Sequence, residues 1–210
     1  MTDSLSDVLG GRRGAFDATV PPVAFALVWL LTSTVGWATA AAIGSAAVVA
    51  VTRLARGDRP TAVIGSIAAV VVAAVVVLHT GHAEDFFLIQ LLSNVASALA
   101  WAVSILIRWP LLGVVVGLLL GQRFRWRKDP WLLRAYNRAS WVWVLQYVLR
   151  TVVYGFLWSI GQVTALAVAR VALSWPLVAV VVAVSAAVLR KSLPDDHPGI
   201  RHPRVREPVN

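Results

Sequence analysis

Residues 20–51, VPPVAFALVWLLTSTVGWATAAAIGSAAVVAV, form an apolar run that contains no charged residue. An α-helix needs only about 20 apolar residues to cross the ~30 Å hydrocarbon core of a bilayer, so the run is too long for one crossing. Its centre, Ser33-Thr34-Val35-Gly36, is small and partly polar. The run therefore predicts two membrane spans, at 21–34 and 36–54, with Pro21 and Pro22 opening the first helix, where a missing N–H costs nothing.

The same argument predicts four more spans, at 61–78, 86–107, 140–160 and 164–189. A further apolar segment, 110–121, would be only about 18 Å long as a helix, which is too short to cross. It is predicted to be a half-inserted helix. The fold class is therefore all-α, a polytopic membrane protein with six transmembrane helices and one half-inserted helix. Residues 1–19 form a polar N-terminal segment, 20–190 the transmembrane domain, and 191–210 a flexible, basic, Pro-rich tail.

Composition agrees with a membrane protein, because 59% of the residues are hydrophobic and 14% are charged. An ordinary globular domain carries roughly 25% charged residues. The net charge of +9 does not indicate nucleic-acid binding, because the basic residues lie in clusters between apolar runs. The chain has no cysteine, so disulfide and thiol chemistry are excluded.

The basic clusters also predict the orientation of the spans. Cytoplasmic loops of membrane proteins are enriched in Lys and Arg. In the six-span arrangement with both termini in the cytoplasm, the loops on the other side contain no Lys or Arg. The sequence therefore predicts a cytoplasmic (inner) membrane protein whose termini, and whose basic segment 123–138, are cytoplasmic.

Two predicted spans carry polar stripes at helical spacing. The stripe in 86–107 consists of Gln90, Asn94, Ser97, Trp101, Ser104 and Arg108, and the stripe in 140–160 of Trp143, Tyr147, Arg150, Tyr154 and Trp158, with Gln146 beside Arg150. Because polar faces avoid lipid, the two spans are expected to pack together. The stripes are either packed polar faces or the walls of a hydrated path. The candidate ligand-binding residues are Arg150, Asn94, Gln90, Gln146, Tyr147 and Tyr154.

Arg150 is the leading candidate, because it falls near the centre of its predicted span. Placing Arg there costs at least ~2.5–3.5 kcal/mol, so the side chain should face protein or water. No Asp or Glu lies within a predicted span. The counter-charge could be an anionic solute, a lipid phosphate or a loop carboxylate. Alternatively, Arg150 donates to backbone carbonyls of the half-inserted helix.

Other polar and small residues are expected to serve structure. Arg170 is predicted to form an ion pair with Asp85 or Glu84 at similar depth. Three glycines that lie four residues apart follow Pro110, namely Gly113, Gly117 and Gly121, and their spacing suits close helix packing. His79 and His82 do not complete a metal-site pattern, so no metal or cofactor is predicted. No catalytic motif is present in the sequence, and no catalytic residue is assigned.

Several short motifs, taken in order, resemble an actinobacterial membrane family known as domain of unknown function 3159. They are Gly10-Gly11-Arg12-Arg13-Gly14, Asp17, Pro22-x-x-Phe25, Thr80-Gly81-x-x-x-Asp85-Phe86-Phe87, Asn94, Arg108-x-Pro110-Leu111-x-Gly113, Trp126-Arg127, Trp141, Arg150, Tyr154 and Trp175-Pro176-Leu177. The outer-loop carboxylate and Phe pair are more distantly similar to the intracellular septation protein A family. The resemblance implies a cytoplasmic-membrane location and no particular activity.

Two functions follow as hypotheses. The first is a transporter or channel-like protein, or a membrane protein that binds a polar or anionic ligand. The second is a structural or accessory protein of the cell-envelope or division machinery. A membrane enzyme has the least support, because no acid–base pair or metal cluster lies at one depth. The expected partners are membrane lipids, an anionic solute or lipid, and either a second copy of the chain or another membrane protein.

Overall fold

The computed structural model describes residues 11–122, 124–194, 197–201 and 203, with side chains from Asp17 onward. Every secondary-structure element in these ranges is helical, which confirms the all-α fold class. The α-helices are α1 Gly11–Thr32, α2 Val35–Ala55, α3 Pro60–Thr80, α4 Leu88–Leu106, α5 Leu111–Leu119, α6 Pro130–Ser159, α7 Val163–Ala172 and α8 Trp175–Ser192. Two 3-10 helices, Ala83–Phe87 and Arg125–Lys128, precede α4 and α6. Gly10, Arg123, Arg204 and Arg206 lie outside the described residues.

The predicted break in the first apolar run is confirmed. Helix α1 ends at Thr32 and α2 begins at Val35. Between them, Ser33 has a φ of 48°, which a right-handed helix does not allow. The prediction that Pro21 and Pro22 open the first helix is wrong, however, because both prolines lie inside α1. Proline has a φ near −65°, which suits a helix, and what it loses is one N–H donor per ring.

The predicted helix 164–189 is also wrong in one respect, because it is interrupted. Helix α7 ends at Ala172 and α8 begins at Trp175. Pro176 has no N–H for the carbonyl of Ala172, four residues earlier, and its ring crowds that carbonyl. The helix breaks at this point for that reason.

Among the described residues, four segments are long and apolar enough to cross a membrane: Val35–Ala55, Pro60–Thr80, Ala83–Leu106 and Val163–Ser192. The apolar part of α1, Asp17–Thr32, is shorter. Helix α6 has 30 residues but contains Arg134, Arg138 and Arg150, which lower its hydropathy. The composition therefore fits a membrane protein.

The chain divides into two compact units. The first unit comprises Met1–Ser93 and Thr151–Trp175, and the second comprises Asn94–Arg150 and Pro176–Asn210. In the core of the first unit, Phe25 stacks on Phe86 with ring centroids 4.2 Å apart. Helix α1 contacts α2, α7 and the 3-10 helix that carries Phe86.

The core of the second unit centres on Trp126, which is fully buried and lies edge-on to Tyr136. Helix α5 is nine residues long, or about 14 Å, and is too short to cross a bilayer, as predicted. Gly113 and Gly117 are buried, and Gly113 faces the Trp126 ring. Gly121 instead lies exposed after α5 with a φ of 65°, so it serves a turn and does not pack.

Residues 197–201 of the C-terminal tail contact the rest of the second unit, whereas the sequence predicted a flexible tail. We call these contacts the tail clasp. Asp129 Oδ1 accepts hydrogen bonds from the backbone N–H groups of Trp131 and Leu132, and so caps α6. Asp129 Oδ2 lies 2.9 Å from His197 Nε2, and Gln122 Nε2 donates to the carbonyls of Ile200 and Arg201. Both side chains of the Asp129–His197 pair are completely buried.

Candidate functional site

The residues predicted to form one ligand site fall into two groups. Gln90 and Tyr154 belong to the first unit, whereas Asn94, Gln146, Tyr147 and Arg150 belong to the second. Tyr154 is 3% exposed and is part of the apolar core of the first unit. Each group is therefore considered within its own unit.

An aromatic contact joins α4 and α6 in the second unit. Trp101 and Trp143 stack with ring centroids 4.9 Å apart and planes 8° from parallel. Asn94 and Gln146 are both buried. Within the described part of the chain, the amide nitrogen of Asn94 and both amide atoms of Gln146 have no hydrogen-bond partner. Buried amides of this kind usually contact water, a ligand or a polar neighbour.

Arg150 is half-buried, and its guanidinium carbon lies 5.7 Å from the centroid of the Tyr147 ring. This distance is within the range of a cation–π interaction. Arg150 and Tyr147 also make other contacts within the chain. The ring thus forms one side of the environment of the arginine.

A cavity of about 210 Å³ lies in the first unit and is the most distinctive polar feature there. Three of its lining residues are polar, namely Arg170 from α7 and Gln90 and Ser93 from α4. The other lining residues are apolar and come from α1, α3 and the segment 86–89: Ala18, Pro22, Ala69, Val70, Ala73, Phe86 and Ile89. Four chain segments therefore enclose one cation.

The predicted ion pair of Arg170 with Asp85 or Glu84 does not form among the described residues. Asp85 is buried and accepts a hydrogen bond of 2.9 Å from the indole N–H of Trp158. Asp85 therefore has an uncharged hydrogen-bond donor in Trp158, and no cation of the described residues lies within ion-pair distance of it. Arg170 lines the cavity and interacts electrostatically with Tyr154, but it has no carboxylate partner within ion-pair distance in the described chain.

The cavity carries groups that can bind an anion. A guanidinium taken out of water without a counter-charge is unfavourable, and an anion that enters the cavity would offset that cost. Gln90 can donate or accept hydrogen bonds, and so can Ser93. In the described ranges, no group of three or more His, Asp or Glu side chains is placed to hold a metal ion.

Sequence reasoning identified Gln90 but assigned Arg170 a structural role and omitted Ser93. The signal was present, because Gln90 and Ser93 are three residues apart and so share a helix face. Arg170 is also the only charged residue of α7. What the sequence did not reveal was that these faces turn toward the same space.

One comparison with known proteins gives a match. The family model described as "Protein of unknown function (DUF3159)" matches residues 9–196. No curated protein and no solved structure matches the chain.

Proposed function

The chain belongs to the DUF3159 family of proteins of unknown function, and from this premise we propose that it is a transport protein that binds a small anion at Arg170. In this proposal it crosses the cytoplasmic membrane six times, with both termini in the cytoplasm. The four long apolar helices support the membrane location. The Arg and Lys clusters support the orientation.

The observation that carries the proposal is the position of Arg170 on a cavity of about 210 Å³ without an acidic partner in the described chain. Arginine within a membrane segment is costly, and where it occurs it marks sites for ions or ligands. Helix α7 ends two residues after Arg170, at the break before α8. Interrupted helices beside a central binding site are common in secondary transporters.

The proposal is tested with Arg170→Gln and a matched control, Arg59→Gln. Arg59 is exposed next to α3 and does not line the cavity. Thermal stability of the purified protein is measured in detergent with added phosphate, acetate, propionate or lactate. An anion at about 100 times its Kd stabilises a folded protein by ~2.7 kcal/mol. At least one anion should stabilise the wild-type protein and Arg59→Gln, but not Arg170→Gln.

Arg170→Gln itself should remain folded or become more stable, because it removes a poorly solvated charge. Uptake of the stabilising anion into proteoliposomes then tests transport as distinct from binding. If no anion stabilises the wild-type protein, binding at Arg170 is refuted. The scaffold function in the envelope or division machinery is then the better explanation.

We also propose that Arg150 belongs to a second polar site in the second unit, with Asn94, Gln146 and Tyr147. The buried amides without partners in the described chain support this proposal. Arg150→Lys should lose any ligand that requires the planar guanidinium fork, because an ammonium group cannot reproduce it. Retention of the same co-purified molecules by Arg150→Lys, measured by mass spectrometry, would contradict this role.

A further inference from the structure

The wall of the Arg170 cavity contains a helix defect. Pro22 lies in the interior of α1 and has no N–H, so it cannot bond to the carbonyl of Ala18, four residues earlier. Ala18 and Pro22 both line the cavity. Helix carbonyls point toward the residue four positions ahead, so the carbonyl of Ala18 points along α1 toward Pro22. Pro22 thus leaves a backbone acceptor without its helical donor beside the cavity.

This acceptor differs from the polar side chains around it. The Gln90 amide and the Ser93 hydroxyl can turn to donate to an anion, but a backbone carbonyl can only accept. An anion oxygen facing that carbonyl would be repelled, whereas a hydroxyl group would donate a hydrogen bond to it. The carbonyl therefore discriminates between anions with and without a donor.

Charge and size restrict the ligand further. Arg170 is the only charged residue among the described residues that line the cavity, so it balances one negative charge. The cavity volume of about 210 Å³ restricts the ligand to a small molecule or a small headgroup. Most of the wall is apolar, which favours a ligand with a small apolar body.

We propose that the Arg170 cavity selects a small monoanionic group that also carries a hydroxyl donor, the anion bound by Arg170 and the hydroxyl by the carbonyl of Ala18. This inference rests on the proposed anion-binding function and names its ligand class. A 2-hydroxy monocarboxylate has both groups. The glycerol phosphodiester headgroup of an anionic lipid has them as well.

The test compares ligand pairs that differ in the hydroxyl group. Lactate and propionate form the soluble pair, and phosphatidylglycerol and phosphatidylethanol in mixed micelles form the lipid pair. The member with the hydroxyl group should bind about 5-fold more tightly to the wild-type protein, the value expected for one hydrogen bond. The pair that shows this ratio identifies the source of the ligand.

Pro22→Ala restores the N–H and should lower the ratio toward one, because the helical N–H then takes one of the two acceptor sites of the carbonyl and holds it in the helix. Pro21→Ala is the matched control, since its N–H would serve Asp17, and neither Pro21 nor Asp17 lines the cavity. It should keep the wild-type ratio. Pro22→Ser restores the same N–H with a different side chain and should repeat the result of Pro22→Ala.

Three results separate this inference from the proposed function. If anions bind through Arg170 but the wild-type ratio is close to one, the hydroxyl preference is overturned and anion binding stands. If both Pro22 variants keep the wild-type ratio, the assignment of the hydroxyl group to the carbonyl of Ala18 is overturned and anion binding stands. If neither pair binds to the wild-type protein but phosphate or acetate does, the inference fails and anion binding stands; if no anion binds, both fail.

Discussion

Gly113→Ala is expected to cause steric overlap inside a buried core. A Cβ at Gly113 would lie 2.8 Å from two ring carbons of Trp126, whereas non-bonded carbons prefer about 3.5–4.0 Å. Trp126 is completely buried, and its ring lies edge-on to Tyr136, so it has little room to move. Overpacking of this kind costs about 1–3 kcal/mol.

The helix itself gains from alanine, by about 1 kcal/mol relative to glycine. Gly44→Ala in α2 isolates that gain, because nothing lies within 4 Å of an added Cβ there. Gly113→Ala should therefore be less stable than Gly44→Ala by about 1–3 kcal/mol, which is the overpacking cost. The free energy of unfolding, measured by denaturant titration in detergent micelles, gives this difference.

A double-mutant cycle assigns the loss to the tryptophan. In a Trp126→Leu background the ring is absent, so Gly113→Ala should stabilise the protein by about as much as Gly44→Ala does. Equal stability of the two alanine variants in the wild-type background would refute the packing described here. So would a loss at Gly113 that persists without the Trp126 ring.

Three further predictions concern the tail clasp, a buried tyrosine and the topology. His197→Ala removes the imidazole that contacts the buried Asp129 carboxylate, so it should lower the free energy of unfolding by roughly 1–3 kcal/mol. It should also speed tryptic cleavage of the tail, and unchanged cleavage would contradict the clasp. Burial raises the pKa of Tyr136 to about 12 from 10.0. The free energy of unfolding should be unaffected by Tyr136 below pH 10 and fall by about 2 kcal/mol as the pH rises to 12, because Tyr136 ionises first in the unfolded chain. Tyr136→Phe should remove this fall, and the same pH profile in Tyr136→Phe and the wild-type protein would refute the prediction. Compartment-sensitive reporters fused at Asn210 and near Ala83 should give opposite signals, and equal signals would refute the six-span model.

Local signals in the sequence were enough to locate two features of the fold. The break after Thr32 follows from small polar residues within an apolar run too long for one helix. The short helix α5 follows from a short apolar segment between Pro110 and the basic residues after Gly121. Both features depend only on residues that are near one another in the sequence, so no knowledge of helix packing is needed to predict them.

The features that sequence reasoning missed depend on how helices rotate against one another. The φ of proline suits both the first turn and the interior of a helix, so Pro21 and Pro22 do not mark a helix start by themselves. Asp85 and Arg170 are at similar predicted depth, yet the donor to Asp85 is Trp158. Which donor reaches Asp85 depends on how the helices are rotated against one another, and the periodicity of the sequence does not give that rotation.

The tail clasp has a consequence for protein synthesis. The ribosome makes Gln122 and Asp129 long before His197 and Ile200. The clasp can therefore form only after the last part of the described chain has been synthesised. Until then, Asp129 caps α6 through Oδ1 but lacks its contact with His197. A nascent or truncated chain that ends before His197 lacks the contacts that Asp129 and Gln122 make with the tail. Closure of the clasp would therefore mark a polypeptide whose translation has passed residue 201.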